Sequence, residues 1–169
     1  MAARIILLNG TSSAGKSTLA RALRPLLPDT FCYYASDQLA DAGFRPQDPD
    51  ARWHGREAFF SGFHRSIATF AAAGLDLVVE HVIEQASWAE QLRDALRPFD
   101  VFWVGVRVPL NVLEDRERVR GDRSLGEASE HFGTHDHCVY DMEIENVGSP
   151  IAVAEQVVRF WKLRLSSDL

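Results

Sequence analysis

Cysteine is scarce in this chain. Cys32 and Cys138 are the only two. They lie far apart and lack the close spacing of a zinc ligand set, so neither a disulfide scaffold nor a structural metal knuckle organises the fold. Both are expected to be buried thiols of a protein in a reducing compartment. Positive charge is also short. Eighteen Lys and Arg face 24 Asp and Glu, a net charge of −6, which gives no support to a general nucleic-acid partner. No apolar run approaches the roughly 20 residues that cross a bilayer, so no membrane partner is expected. The amino-terminal segment enters an apolar strand almost at once, with no room for a signal peptide, and a cytoplasmic location is the expectation. Repeats and low-complexity tracts are absent. The balance of 46% apolar and 25% charged residues over 169 positions is that of one globular domain, residues 1–169, with a sizeable core.

Against these absences stands one complete motif. Gly10-Thr11-Ser12-Ser13-Ala14-Gly15-Lys16-Ser17 satisfies the phosphate-binding pattern G-x-x-x-x-G-K-[ST] without a mismatch. Its flanks fit as well: Arg4 to Asn9 reads as a buried strand, and Ser17 to Leu23 carries apolar residues at helical spacing. In such a loop successive N–H groups turn inward toward phosphate oxygens, and the positive end of the following helix faces the same anion. Lys16 is placed to reach the β and γ phosphates, and the Ser17 hydroxyl to ligate magnesium.

Further along, apolar segments alternate in type. Thr30–Ala35 reads as a second strand, with a helix starting at Ser36 or Asp37 as N-cap. Residues 43–54 read as irregular, and Arg56 to Ala73 as a long helix. Leu75–His81 is a third strand, apolar enough to be buried on both faces. Ser87–Arg97 is an amphipathic helix, Val101–Val108 a fourth strand, Leu110–Arg120 a charged helix and Val139–Glu145 a fifth strand. Pro150 opens a last helix. The alternation predicts a three-layer α/β domain with a five-stranded, mainly parallel sheet. Ligands of such sheets bind at the carboxyl ends of the strands. The phosphate loop, Asp37, Glu80-His81 and the segment after Val108 all fall there.

Phosphoryl transfer requires held phosphates, neutralised charge and an aimed nucleophile. Asp37 is the expected base, at the end of a strand expected to neighbour the one feeding the phosphate loop. Glu80 is the expected magnesium-side acid. His81 should face the other way, because adjacent strand residues alternate. Arg116, Arg118, Arg120 and Arg123 suit phosphate oxygens. They fall in a segment expected to act as a lid, about residues 110–130, with Gly121 breaking the helix so that Arg123 turns inward. His131, His135 and His137 lack the framework of a metal site.

Taken together, Asn9 to Ser17, Ser36-Asp37, Trp103-Val104-Gly105-Val106-Arg107, Arg116-Glu117 through Arg120-Gly121-Asp122-Arg123, and His135 through Tyr140-Asp141 resemble the chloramphenicol phosphotransferase-like proteins. The resemblance spans most of the chain. It implies a fold similar to that of nucleotide and shikimate kinases, and an ATP- and Mg2+-dependent transfer of the γ-phosphoryl group to a hydroxyl of a small molecule, such as an antibiotic or related metabolite. It also implies that Asp37 is the base and that the lid arginines lie between Arg116 and Arg123. The expected catalytic set is therefore Asp37, Lys16, Arg120 and Arg123. The nucleotide set is Gly10, Thr11, Ser12, Ser13, Ala14, Gly15, Lys16, Ser17, Thr18, Arg116 and Arg120, and the magnesium set is Ser17 and Glu80. Two departures stand out. The family's third strand tends to end in paired acids, whereas this one ends in Glu80-His81, and residues 43–63 do not match the chloramphenicol enzyme. The rival readings are a nucleoside, nucleotide or sugar-acid kinase on the same fold, and a nucleotide-binding regulator without transfer activity. Oligomeric state is left open.

Overall fold

The computed structural model describes residues 2–120, 126, 129 and 131–167, the side chains of 120, 166 and 167 excepted. Five strands, β1 (Arg4–Asn9), β2 (Phe31–Ala35), β3 (Asp76–His81), β4 (Asp100–Arg107) and β5 (Met142–Glu145), form one sheet in the order β2-β3-β1-β4-β5. Every pairing is parallel. The connecting helices are α1 (Lys16–Leu23), α2 (Ser36–Asp41), α3 (Pro49–His54), α4 (Arg56–Ala72), α5 (Ala86–Leu96) and α6 (Leu110–Arg120), with a last helix, α7 (Pro150–Ser167).

Each face of the sheet carries its own core. Ile6, Leu8, Val78, Val104 and Val106 pack against Leu19 and Leu23 of α1 and Val157 and Trp161 of α7. Ile5, Leu7, Leu77 and Val79 pack against Phe63 and Ile67 of α4 and Trp88 and Leu92 of α5. Burial of one such side chain is worth about 1.5–3 kcal/mol, so a strand apolar on both faces is most stable with helices on both sides. That is why β1 and β3 read as unbroken apolar runs rather than alternating ones.

The strand ending before Asp37, expected beside β1, does not neighbour it, because β3 lies between them. All of β3 is buried, whereas β2 exposes Cys32 and half-buries Tyr33 and Tyr34. A strand covered on both faces belongs inside the sheet, and a partly wet one at its edge. The same edge position leaves Cys32 exposed, so only Cys138, half-buried, approaches the buried thiol anticipated for both. Residues 43–54 are not wholly irregular: Pro49 occupies the first turn of α3 and the Asp48 side chain accepts from Ala51 N–H at 2.8 Å, a proline-start and cap pair. The cap of α2 is Ala35, with Gln38 Oε1 accepting from Ala35 N–H at 2.9 Å, so Ser36 and Asp37 lie in the first turn. β5 begins at Met142, three residues later than the alternation suggested.

At the end of the sheet away from the phosphate loop, Asp76 accepts from Arg4 N–H at 2.8 Å and from Thr30 Oγ1 at 2.8 Å, and pairs with the Arg4 guanidinium. Burial presses its pKa upward, but these bonds outweigh it and hold the carboxyl below its ordinary value. The pairing ties β1, β3 and the approach to β2 together, and so fixes where their opposite ends converge.

Candidate active site

The phosphate loop leaves β1 at the centre of the sheet and is bent hard. Ser13 (φ +60°) and Gly15 (φ +81°) both take left-handed backbone. A Cβ on Gly15 would also lie 2.8 Å from Asn146 Nδ2, so position 15 requires glycine for space as well as for conformation. Lys16 is 5% exposed, and its Nζ donates to the carbonyls of Gly10 (3.0 Å) and Thr11 (2.8 Å). The ammonium is thus held over the mouth of the loop. Asn146 Nδ2 donates to Ala14 O at 2.8 Å, and Arg116 donates to Ser13 O (3.4 Å) and Asn146 O (2.7 Å).

The parallel register brings Glu80 level with Leu8 and Ala35. Its Oε1 accepts from Ser17 Oγ at 2.8 Å, and its Oε2 accepts from the Tyr33 hydroxyl. Burial, reinforced by Glu80, pushes the Tyr33 phenol above its ordinary pKa, so it stays protonated and remains the donor. His81 points to the other face, as strand alternation requires. It stacks on Trp88 (5.8 Å between centroids, 14° between planes), and its Nε2 lies 2.9 Å from His64 Nε2. Burial drives His81 well below its ordinary pKa and lowers His64 as well, so the two rings form a neutral pair. With Gln91 Oε1 3.0 Å from His64 Nδ1, the Nδ1 proton goes to Gln91 and His81 donates to His64. His81 Nδ1 has no partner among the described residues.

A cavity of about 530 Å³ opens beside the loop. Ser12, Ser13, Gly15, Lys16, Ser17 and Thr18 form one wall, and Asp37, Arg45, Arg56, Phe60, Glu80, His81, Glu84 and His131 line the remainder. Asp37 enters from the first turn of α2 and lies within electrostatic reach of Arg45. Arg56 forms an ion pair with Glu84, whose other oxygen is 3.6 Å from His131 Nε2. A second cavity, about 480 Å³, lies across the loop, lined by Ser13, Gly15, Thr18, Val112, Arg116, Val119, Asn146, Gly148 and Pro150. The two cavities share Ser13, Gly15 and Thr18 of the phosphate loop and the turn after it. Among the described residues, the helix after Val108 lines the second through Val112, Arg116 and Val119. Arg116 is placed there; Arg118 pairs with Asp115 at 2.6 Å on an exposed face. Arg120 is the last described residue of α6; its side chain, Gly121 and Arg123 lie outside the described residues.

Behind the loop is a polar network the sequence reading did not anticipate. Asn9 Oδ1 accepts from Ile83 N–H (2.9 Å) and faces Thr134 Oγ1 (3.1 Å); its Nδ2 donates to Tyr140 Oη (2.7 Å) and Thr134 O (3.2 Å). Tyr140 Oη also meets His135 Nδ1 at 2.8 Å. Burial, chiefly, lowers His135 to about 4, so the ring that meets the phenol is neutral. The Tyr140 ring lies against Gly105, where an added Cβ would come within 2.8 Å of ring carbons. The sequence signals were Asn9, a polar residue closing an apolar strand, and Gly105, a glycine inside one. Tyr33, Arg45, Arg56, Glu84 and Asn146 were missed altogether, and no spacing marks them.

The chain belongs to the chloramphenicol phosphotransferase-like proteins, whose family model matches residues 3–162. The Mycobacterium tuberculosis protein named "Putative O-phosphotransferase Rv2636" is 30% identical, over 88% of this chain and 77% of that protein. Among solved structures, the APS kinase of M. tuberculosis, in complex with AMPPNP and APS, superposes with a TM-score of 0.71 at 17% identity, covering 95% of this chain and 98% of that one. The tunicamycin resistance protein of Deinococcus radiodurans gives 0.69 at 21% identity over 93% and 94%. Shikimate kinase from Acinetobacter baumannii gives 0.66 at 21% over 99% and 96%. The architecture is the P-loop kinase fold, and the family is one of phosphotransferases. Among the described residues no helix is long and apolar enough to cross a membrane.

Proposed function

We propose that this chain is an ATP-dependent O-phosphotransferase, acting in the cytoplasm, that moves the γ-phosphoryl group of ATP to a hydroxyl of a small molecule, an antibiotic or related metabolite. One observation carries the reading: a single cavity is lined both by Ser12, Ser13, Gly15, Lys16 and Ser17 of the phosphate loop and by Asp37. The base and ribose of the nucleotide fit the second cavity, against Arg116, Asn146 and Pro150, which leaves the first for the γ-phosphate and the acceptor. The Ser17 hydroxyl and the Glu80 carboxylate, 2.8 Å apart, are the hard oxygen donors that suit Mg2+, and Tyr33 orients the acid. When bound there, magnesium would neutralise phosphate charge.

The chain's own residues then have separable tasks. Loop N–H groups and Lys16 hold the β and γ phosphates, and Lys16 gives up its carbonyl partners for them. Asp37 accepts the proton as the acceptor O–H bond breaks. The acceptor oxygen forms its bond to the γ-phosphorus while the bond from that phosphorus to the β–γ bridging oxygen breaks, and ADP departs with the electron pair. Arg120 and Arg123 are assigned to closure over the transferring group, and Arg116 to the nucleotide.

The test is acceptor-dependent ADP release over a panel of hydroxylated compounds, beside nucleotide binding. Phosphorylation of one compound with ATP and Mg2+ is the expected result. Tight nucleotide binding with no acceptor-dependent turnover across the panel favours the regulator instead.

A further inference from the structure

We propose that the acceptor carries an oxyanion, a carboxylate or a phosphate or sulfate ester, and that Arg45 binds it on a platform made by Phe59 and Phe60. The inference rests on the phosphotransferase reading and narrows its acceptor.

The Arg45 guanidinium lies 4.2 Å from the Phe59 ring centroid and 5.1 Å from that of Phe60. It lines the acceptor half of the main cavity and a smaller adjoining one. No carboxylate among the described residues hydrogen-bonds to it, whereas the other cavity charges have their places. Lys16 sits over the loop, Glu80 holds Ser17 and Tyr33, and Arg56 pairs with Glu84. Burial lowers the Arg45 pKa, and the charges acting on it are Asp37 and Glu84 favourably and Arg56 and Arg52 unfavourably. Among the described residues, then, three guanidinia, Arg45, Arg56 and the more exposed Arg52, and two carboxylates act on one another here. Two of them, Arg45 and Arg56, approach the same Phe60 ring, at 5.1 and 5.0 Å. Gathering like charges against an aromatic wall is costly until an anion joins them. A planar, always-charged fork stacked on rings is preorganised for a carboxylate or phosphate edge. A neutral acceptor would leave that fork desolvated and unmatched.

The experiment uses matched pairs: hydroxycarboxylates with their carboxamides, and hydroxylated phosphate and sulfate monoesters with their parent alcohols. Each pair is assayed for phosphorylation and titrated calorimetrically into the protein with a non-hydrolysable ATP analogue. The anionic members should be preferred by about 10- to 100-fold, the worth of a hydrogen-bonded charge. That preference should collapse in Arg45→Met and Arg45→Gln, through KM rather than kcat, with melting unchanged. Arg45→Lys should restore part of it. Equal use of neutral and anionic members, with Arg45→Met indifferent, overturns the anion site and leaves the phosphotransferase standing. If no compound is phosphorylated, the phosphotransferase reading falls, and the titrations still decide the anion site. Anion-selective binding lost in Arg45→Met supports it, and unselective binding overturns it.

Discussion

Asp37 occupies a position where two explanations of a carboxylate compete. In the first turn of a helix an acid is favoured by the dipole alone; beside a phosphate loop it can also take a proton. The two differ in magnitude. The helix contribution is about 0.3–1 kcal/mol, whereas general-base catalysis is worth about 100- to 10,000-fold in rate. Asp37→Asn keeps the shape and removes the proton acceptor. Turnover is predicted to fall by at least about 100-fold, with ATP affinity and melting near wild type. Substantial residual transfer would reduce Asp37 to a helix-end acid or a substrate contact. Lys16 is the opposite case, a cation held at 2.8 and 3.0 Å by two carbonyls. Those bonds park the charge without consuming it. Lys16→Ala should slow single-turnover transfer by at least about 100-fold; a loss under threefold would contradict the role.

At the scale of elements, the decisive joint is where β1 ends. Asn9 bridges Ile83, Thr134 and Tyr140, and so links the loop after β3 and the turn at Phe132–His137 to the residue preceding the phosphate loop. Asn9→Ala strands the buried Ile83 N–H and Thr134 carbonyl. The predicted cost is about 2–4 kcal/mol, or about 5–15 °C in Tm, together with weaker nucleotide binding. Urea melts and nucleotide titration check both; a loss below about 0.5 kcal/mol, the scale of an ordinary surface change, would mean water replaces the amide. Gly105→Ala should also destabilise, by about 1–3 kcal/mol, because Tyr140 occupies the space. The elements themselves were largely legible. Continuous apolar runs marked β1, β3 and β4, and the charged α6 begins at Leu110, where the sequence placed its start. Strand order was not legible. A crossover of suitable length can place β2 next to β1 or one position further out, and only the wet residues Cys32, Tyr33 and Tyr34 distinguish the two. The site divides in the same way. The phosphate loop, Asp37 and Glu80 announce themselves through local pattern, whereas Arg45, Arg56 and Glu84 come together only through the packing of α4 against the sheet.

Over the whole molecule, the buried histidines couple stability to acidity. His135, His64 and His81 all have pKa values lowered by burial, His135 to about 4. An unfolded histidine titrates near about 6.5. Between those values the unfolded chain takes a proton that the folded chain refuses, so stability must fall as pH falls. It is complete above about pH 6.5, and the share owed to His135 is spent once the pH drops through about 4. Asp76, held below the ordinary carboxylate range by Arg4, adds its own loss at more acidic pH, so the histidine window can be read separately. Protonating His135 would also charge the ring that meets the Tyr140 hydroxyl, the group that receives Asn9 Nδ2. In the folded chain that protonation waits until the pH approaches about 4, so nucleotide affinity should hold through the stability window and decline only at its acid end. His135→Asn supplies an oxygen near the Nδ1 position and does not titrate. Urea denaturation at pH 7.5, 6 and 5 should show a wild-type decline that the variant shares only in part. The gap between the two should change by about 1–2 kcal/mol across the range, set against a ceiling of 1.36 kcal/mol per pH unit for one proton. Parallel curves would assign the acid sensitivity to the His64–His81 pair instead, in the core beneath α4 and α5.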